Sequence, residues 1–392
     1  MMNQTRKFFL LAAAASTLIL ASCSLIGNQE PQLFEPVAAE ESGIDFENRL
    51  VSTSDFNVYR YRNFYNGGGV AAGDLNGDGL PDLYLISNSG ENRLYLNRED
   101  YRFEDVTQSA GVAGTKPWST GVSFVDINGN GLLDIYVTNS GEFEPEERRN
   151  ELFINNGDGT FTEAAAEYGL DDPGYSIHAA FFDFDLDGDL DMYLLNNSDA
   201  AIVDFELSDN QRLVRDEHGG DKLFRNDGNV FTDVSAEAGI YGSEIGFSLS
   251  ATVSDVNRDG WPDIYIANDF FERDYLYLNN SDGTFREVLT EQMNSISAAS
   301  MGADIADLTN NGWPDIYVSD MLPLTDERTK KITTYENWEL FTDKESWGYH
   351  YQVTRNTLQL NNGNGTYSEI GRYSDVQASD WSWAVLLADF DL

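Results

Sequence analysis

Asp74-Leu75-Asn76-Gly77-Asp78-Gly79-Leu80-Pro81-Asp82 places oxygen-bearing side chains at positions one, three, five and nine, with glycine at position six. Alternate residues of a tightly curled loop point inward, so positions one, three and five converge on one point. Position seven adds a backbone carbonyl and position nine a carboxylate. An all-oxygen donor set in a flexible loop suits Ca²⁺, which takes six to eight oxygens at about 2.3–2.6 Å. The glycine permits the positive φ of a sharp turn. Position twelve is Leu85, where an EF-hand needs a bidentate Glu, and the residues that follow read as a strand.

The pattern returns four times. The ligand sets are Asp74, Asn76, Asp78, Leu80 and Asp82; Asp126, Asn128, Asn130, Leu132 and Asp134; Asp183, Asp185, Asp187, Asp189 and Asp191; Asp255, Asn257, Asp259, Trp261 and Asp263; and Asp307, Thr309, Asn311, Trp313 and Asp315. In each set the fourth residue offers its carbonyl. One such loop is an ordinary solvated turn, whereas five with glycine always at position six predict up to five calcium sites. The third loop has four side-chain carboxylates and is expected to bind tightest; the fifth, with Thr309 and Asn311, weakest. A sixth copy begins at Asp389, within residues 389–392.

The 392 residues hold 24 Lys and Arg against 67 Asp and Glu, a net charge of −43. Such a surface repels nucleic acid, whose binders are basic, and anionic membranes. It fits a calcium-rich extracellular setting. The single cysteine, Cys23, excludes an intrachain disulfide and a cysteine-based zinc site. The three histidines, His178, His218 and His350, form no His-Glu-x-x-His pattern.

Residues 1–22 read as an export signal, with Arg6 and Lys7 ahead of an apolar run too short for a confident transmembrane helix. They end in Leu20-Ala21-Ser22-Cys23, which resembles a bacterial lipobox. That resemblance implies lipidation at Cys23 and anchoring at the outer membrane or cell surface of a Gram-negative bacterium. Residues 23–45 are polar with prolines, a tether, and Phe46 to Tyr65 reads as strand-like but irregular.

From there to residue 392 each repeat has the same parts. A small or apolar run enters the loop (67–73, 119–125), and a β-rich run leaves it, such as Leu83-Tyr84-Leu85 or Ile135-Tyr136-Val137. A second run follows (Leu94-Tyr95-Leu96, Leu152-Phe153-Ile154), then a tight turn and a third (Phe161-Thr162-Glu163). The loops start at 74, 126, 183, 255, 307 and 389, so the spacings are 52, 57, 72, 52 and 82. The shortest fits one four-stranded sheet per repeat. The expected fold is all-β, a β-propeller of four-stranded blades over 46–392, incomplete because a sixth repeat is only begun. On that ground the chain is expected to be the N-terminal piece of a longer protein.

Two spacings are long. Insertions at Ala200–Gly220 and Met321–Arg355 fall between the second and third elements of their blades, where repeat proteins build binding faces. The second is aromatic-rich. Tyr335, Trp338, Trp347 and His350 are its candidate ligand platform, against the alternative that they cap the propeller's own core. Trp118, Trp381 and Trp383 precede inner strands and read as packing residues.

The five Asp-x-[Asp/Asn/Thr]-x-[Asp/Asn]-Gly-x-x-Asp loops, each followed by an apolar strand, resemble the FG-GAP/VCBS repeats of integrin-type calcium-binding β-propellers. With the lipobox, Tyr65-Asn66-Gly67-Gly68-Gly69 and Trp381-Ser382-Trp383, the chain is similar to the N-terminal part of large Bacteroidetes surface lipoproteins that end in an ASPIC/UnbV domain. The resemblance implies a calcium-stabilised extracellular scaffold that binds protein or glycan. The alternatives are a polysaccharide lyase or hydrolase on a propeller, and a purely structural module of a surface assembly. No catalytic residue is assigned, because the carboxylates that can be placed are committed to calcium and no nucleophile–His–acid arrangement is readable.

Overall fold

The computed structural model describes residues 34–199, 207–333 and 338–390. The export signal, Cys23, the tether up to residue 33, Tyr335 and the last two residues lie outside the described residues.

Five four-stranded antiparallel sheets follow one another, each a simple meander in chain order. The first is Val70–Gly73, Asp82–Leu85, Arg93–Asn97 and Phe103–Asp105. The second is Ser119–Val125, Asp134–Asn139, Glu151–Asn155 and Phe161–Glu163; the third Ser176–Phe182, Asp191–Asn196, Lys222–Asn226 and Phe231–Asp233. The fourth is Ser248–Ser254, Asp263–Asn268, Tyr275–Asn279 and Phe285–Glu287; the fifth Gly302–Ala306, Asp315–Ser319, Thr357–Asn361 and Tyr367–Glu369. The architecture is the all-β one read from the repeats, and each acidic loop joins the first strand of its sheet to the second.

Burial explains the residue choice. The second strands of sheets two, three and four are buried at every position, which is why they read as unbroken apolar runs. The fourth strands are three residues long and carry exposed acids such as Glu104 and Asp105. Short, charged edges discourage pairing with another chain. Four core clusters each draw on two successive sheets: Tyr193 and Leu195 meet Ile264 and Ile266 between the third and fourth, and Tyr265 meets Ile316 and Val318 between the fourth and fifth. Each fully buried side chain of this kind contributes about 1.5–3 kcal/mol. No sheet could bury both of its faces without its neighbours.

The first strands lie side by side. Thr120 Oγ1 donates to Ser176 O at 2.8 Å and Thr252 Oγ1 to Ala303 O at 2.9 Å. Gly121 makes this approach possible, since a Cβ there would sit 2.3 Å from Ile177 O. Residues 383–387 run along the first strand of the fifth sheet, where Leu387 N donates to Asp304 Oδ2 at 2.7 Å.

Three features depart from the sequence reading. Residues 46–65 form no strand; they end in one 3-10 turn, Arg62–Tyr65. Here Phe56, Tyr61 and Phe64 pack on the buried Trp118, with Phe56 and Trp118 ring centroids 4.8 Å apart. Their aromatic spacing reflects this cluster rather than a ladder. One-turn helices follow the fourth strands, as at Thr107–Ala110, Ala165–Tyr168 and Ser235–Ala238. Each ends on a left-handed glycine. The second insertion is helical at Asp326–Ile332 and Trp338–Ser346. No helix among the described residues is long and apolar enough to cross a membrane.

Candidate functional site

Both ends of the sheets carry candidate sites. At the loop end, the five acidic loops close in one way. The position-one carboxylate accepts backbone N–H groups from positions five and six: Asp78 N and Gly79 N reach Asp74 at 3.1 and 2.8 Å, and Asn311 N and Gly312 N reach Asp307 at 3.0 and 2.7 Å. Position six has positive φ throughout, from 83° at Gly79 to 103° at Gly188, as its glycine predicts. These bonds curl positions one, three and five onto one side.

The position-nine carboxylates do a different job from the others. Asp82, Asp134, Asp191, Asp263 and Asp315 are buried. In each, one oxygen accepts the N–H of position two and the other the N–H of an asparagine ending the third strand. For Asp134 these are Ile127 N at 3.2 Å and Asn155 N at 2.8 Å. Despite both bonds, burial pushes Asp191 and Asp263 up to about 7 and Asp134 to about 6. A cation close by would favour their charged forms.

The asparagine was missed from sequence. Asn155 Nδ2 donates to Leu75 O in the loop of the preceding sheet at 2.8 Å, Asn279 Nδ2 to Phe184 O at 2.8 Å, and Asn361 Nδ2 to Val256 O at 3.0 Å. Each of these loops is thus tied to its own third strand and to the next sheet. The signal was present: Asn97, Asn155, Asn226, Asn279 and Asn361 each end their third strand.

The third loop fits a divalent cation best. Asp183, Asp185 and Asp187 offer oxygens that all lie within 4.8 Å of one another, the one such acidic group among the described residues. Asp185 Oδ1 and Asp189 Oδ1 are buried without a hydrogen-bond partner. Burial, then the neighbouring Asp187, raises the Asp185 pKa. A buried carboxylate oxygen with no donor is the arrangement a cation satisfies. Asp187 therefore joins Asp183 and Asp185 in the cluster, while Asp191 serves the strand junction.

At the opposite end of the sheets, the insertions and residues 46–65 build a second candidate site. The two insertions clasp each other: Asn210 Nδ2 donates to Trp347 O at 3.0 Å, and Arg212 donates to Gly348 O at 3.0 Å and to Glu272 Oε1 at 2.7 Å. A cavity of about 1150 Å³ opens beside them, lined among others by Phe247, Phe270, Trp338, Phe341 and Trp381 and by Arg62, Arg355 and Arg372. Trp338 is 74% exposed and stacks on Phe341 at 5.6 Å. The predicted platform is divided. Trp338 lines the cavity; Trp347 meets the other insertion through its carbonyl, and His350 Nε2 lies 2.9 Å from Met293 O. Burial lowers the pKa of His350. Trp381 and Trp383, read as packing residues, also line the cavity, whereas Trp118 is buried.

A family model of the FG-GAP-like repeat matches residues 74–137, 140–194 and 255–318. All five acidic loops lie inside them. Among curated proteins, human cartilage acidic protein 1 is 28% identical over 190 residues, 44% of this chain and 27% of that protein. The Xenopus tropicalis protein of the same name is 26% identical over 172 residues, 43% of this chain and 26% of that one. The chain thus spans about a quarter of the length of these relatives. Among solved structures, an Agrocybe aegerita lectin, described as recognising non-reducing terminal N-acetylglucosamine, is similar at 17% identity and TM-score 0.40, covering 76% of this chain and 64% of its own. The V. cholerae biofilm matrix protein Bap1 is similar at 14% identity and TM-score 0.38, covering 76% and 38%.

Proposed function

We propose that the chain is a calcium-stiffened propeller module that binds glycan on the face opposite its acidic loops. The observation that carries this reading is the cavity of about 1150 Å³, lined by aromatic rings, of which Trp338 and Trp381 are exposed, together with Arg and amide side chains. Aromatic faces stack on the C–H surfaces of sugar rings, while a few polar groups fix orientation. The acidic loops supply rigidity. Asp183, Asp185 and Asp187, with the other loops in lesser degree, would hold Ca²⁺, whose charge offsets the mutual repulsion of the carboxylates. The cavity walls come from elements tied to those loops through the sheets, so cation binding at one end stiffens the other. Export and lipidation at Cys23 would display the module at a bacterial surface, checked by whether Cys23→Ala abolishes labelling by a fatty-acid analogue.

The test is a glycan array probed with the full chain in millimolar calcium and again with chelator. The expected result is a calcium-dependent glycan signal that Trp338→Ala weakens without lowering the melting temperature, since Trp338 is 74% exposed. Protein targets bound in place of glycans, or a signal indifferent to Trp338, would overturn the glycan reading.

A further inference from the structure

A second pocket, of about 350 Å³, adjoins the large cavity and shares Arg62 and Asn63 with it. At its base lies Asn197, 1% exposed, whose Nδ2 and Oδ1 both lack a hydrogen-bond partner. Its backbone N–H is used, donating to Tyr175 O at 3.0 Å, so the residue is held and only its amide group is unspent. A buried amide left without partners costs several kcal/mol on the order of two bonds' desolvation. Such a group asks for a ligand, or water, that both donates and accepts.

The rim narrows the chemistry. Among the described residues, Glu142 and Asp199 stand against Arg60 and Arg62, two carboxylates and two guanidinium groups, so these lining charges balance. In a chain of −43 this balance is local. It disfavours a bare cation, which would face the arginines, and an anion, which would face the carboxylates. Tyr175 Oη donates to Asp199 Oδ2 at 2.7 Å and holds that carboxylate at the wall. Tyr59, at the mouth, is 97% exposed and presents an aromatic face with no packing role.

From these features we infer that this pocket is a subsite for a single neutral sugar ring, an uncharged polyol. Adjacent hydroxyls each donate and accept, so a vicinal pair satisfies both Asn197 atoms at once. The carboxylates accept from further hydroxyls, and the ring's apolar face rests on Tyr59. The volume falls at the small end of ligand-binding clefts, about 300–1000 Å³, and suits one ring rather than a chain. The inference rests on the glycan-binding reading and assigns it a specific subsite.

The full chain in calcium is titrated with neutral monosaccharides (glucose, galactose, mannose, N-acetylglucosamine) and charged ones (glucuronate, glucosamine), read by saturation-transfer NMR. At least one neutral sugar is expected to saturate, and both charged sugars to bind more weakly. Tyr59→Ala and Glu142→Gln, both at exposed positions, should each weaken that sugar about tenfold; Asn197→Leu should abolish it. Sugar binding that ignores all three substitutions, or selectivity for a charged sugar, overturns the subsite while leaving glycan binding intact. A crystal of the sugar-soaked protein with only ordered water on Asn197 does the same. No response to any sugar, together with a silent glycan array, overturns both readings.

Discussion

Position four of every acidic loop has positive φ: 75° at Gly77, 66° at Gly129, 57° at Leu186, 62° at Arg258 and 53° at Asn310. A Cβ in that conformation costs about 1–2 kcal/mol, least for Asn and nothing for Gly. Leu186 is 50% exposed, so little packing offsets the cost. Leu186→Gly should therefore raise stability by about 0.5–1 kcal/mol at fixed calcium, read as a higher urea midpoint; a lower midpoint would mean that the leucine packs more than its exposure indicates. The same loop carries the clustered Asp183, Asp185 and Asp187, with unpartnered oxygens on Asp185 and Asp189. Ligand charge and count set calcium affinity. Asp187→Ala should remove one ion of the tightest class, measured as bound calcium per chain after equilibration at low micromolar calcium, whereas Asn311→Ala in the weakest loop should leave that class intact. Equal losses would contradict the ranking.

Between loop and sheet, two recurring side chains set the register of the elements. Asn155 accepts Gly157 N at 3.0 Å, donates its N–H to Asp134, and sends Nδ2 to Leu133 O at 3.1 Å and across to Leu75 O. Asn155→Ala leaves those buried carbonyls unpaired and should cost about 2–4 kcal/mol. Asn156→Ala, in the exposed turn next to it, should change stability by less than about 0.5 kcal/mol. Chemical denaturation of both variants compares them directly. The second recurring position enters the third strand, as Asn150 in sheet two and Asp274 in sheet four. Asn150 Nδ2 donates to Tyr136 Oη and Ser176 Oγ, both at 3.0 Å; Asp274 Oδ2 instead accepts from Tyr265 Oη at 2.6 Å and Ser300 Oγ at 2.9 Å. Burial pushes Asp274 up to about 7, against about 3.9 in an unfolded chain. Between those values the native state holds a proton that the unfolded state lacks. Its contribution to stability therefore falls as pH rises from about 4 to about 7 and stays lost above. Asp274→Asn should remove that slope, with little effect near pH 4 and a gain on the order of 4 kcal/mol at pH 8, read from urea unfolding at both values. The repeat made the loops, the strand runs and the blade count legible, because position-six glycine and the apolar runs recur at fixed offsets. It did not disclose Asn155 or Asp274, since a lone Asn or Asp beside a strand looks like turn punctuation until its partners are seen across two sheets. The segment 46–65 was misread for a related reason: Phe56, Tyr61 and Phe64 have strand-like composition, and only Trp118 on a neighbouring sheet shows what they bury against.

Taken as a whole, the molecule separates two chemistries along its strands, with acidic loops at one end and the aromatic cavity at the other. What shapes the cavity end is contact between parts far apart in sequence. Arg212 in the third sheet's insertion pairs with Glu272, in the turn of the fourth sheet, and with the Gly348 carbonyl in the fifth sheet's insertion. The Glu272 side chain is 0% exposed and that of Arg212 12%. Burial raises the pKa of Glu272 even with Arg212 beside it, so desolvation is the larger effect there. A pair so placed need not add much net stability, because two charges have left water; removing one partner strands the other. Arg212→Met should therefore cost about 3–5 kcal/mol, while Arg212→Met with Glu272→Leu should recover most of it. The two outcomes separate by denaturation at pH 7. If the double variant is stable yet binds glycan poorly on the array, the pair is retained because it fixes the two insertions in one arrangement over the cavity. If it is stable and binds normally, the cavity is shaped by packing around Phe247, Phe270 and Phe341, and the ion pair is one solution among several to closing the same surface.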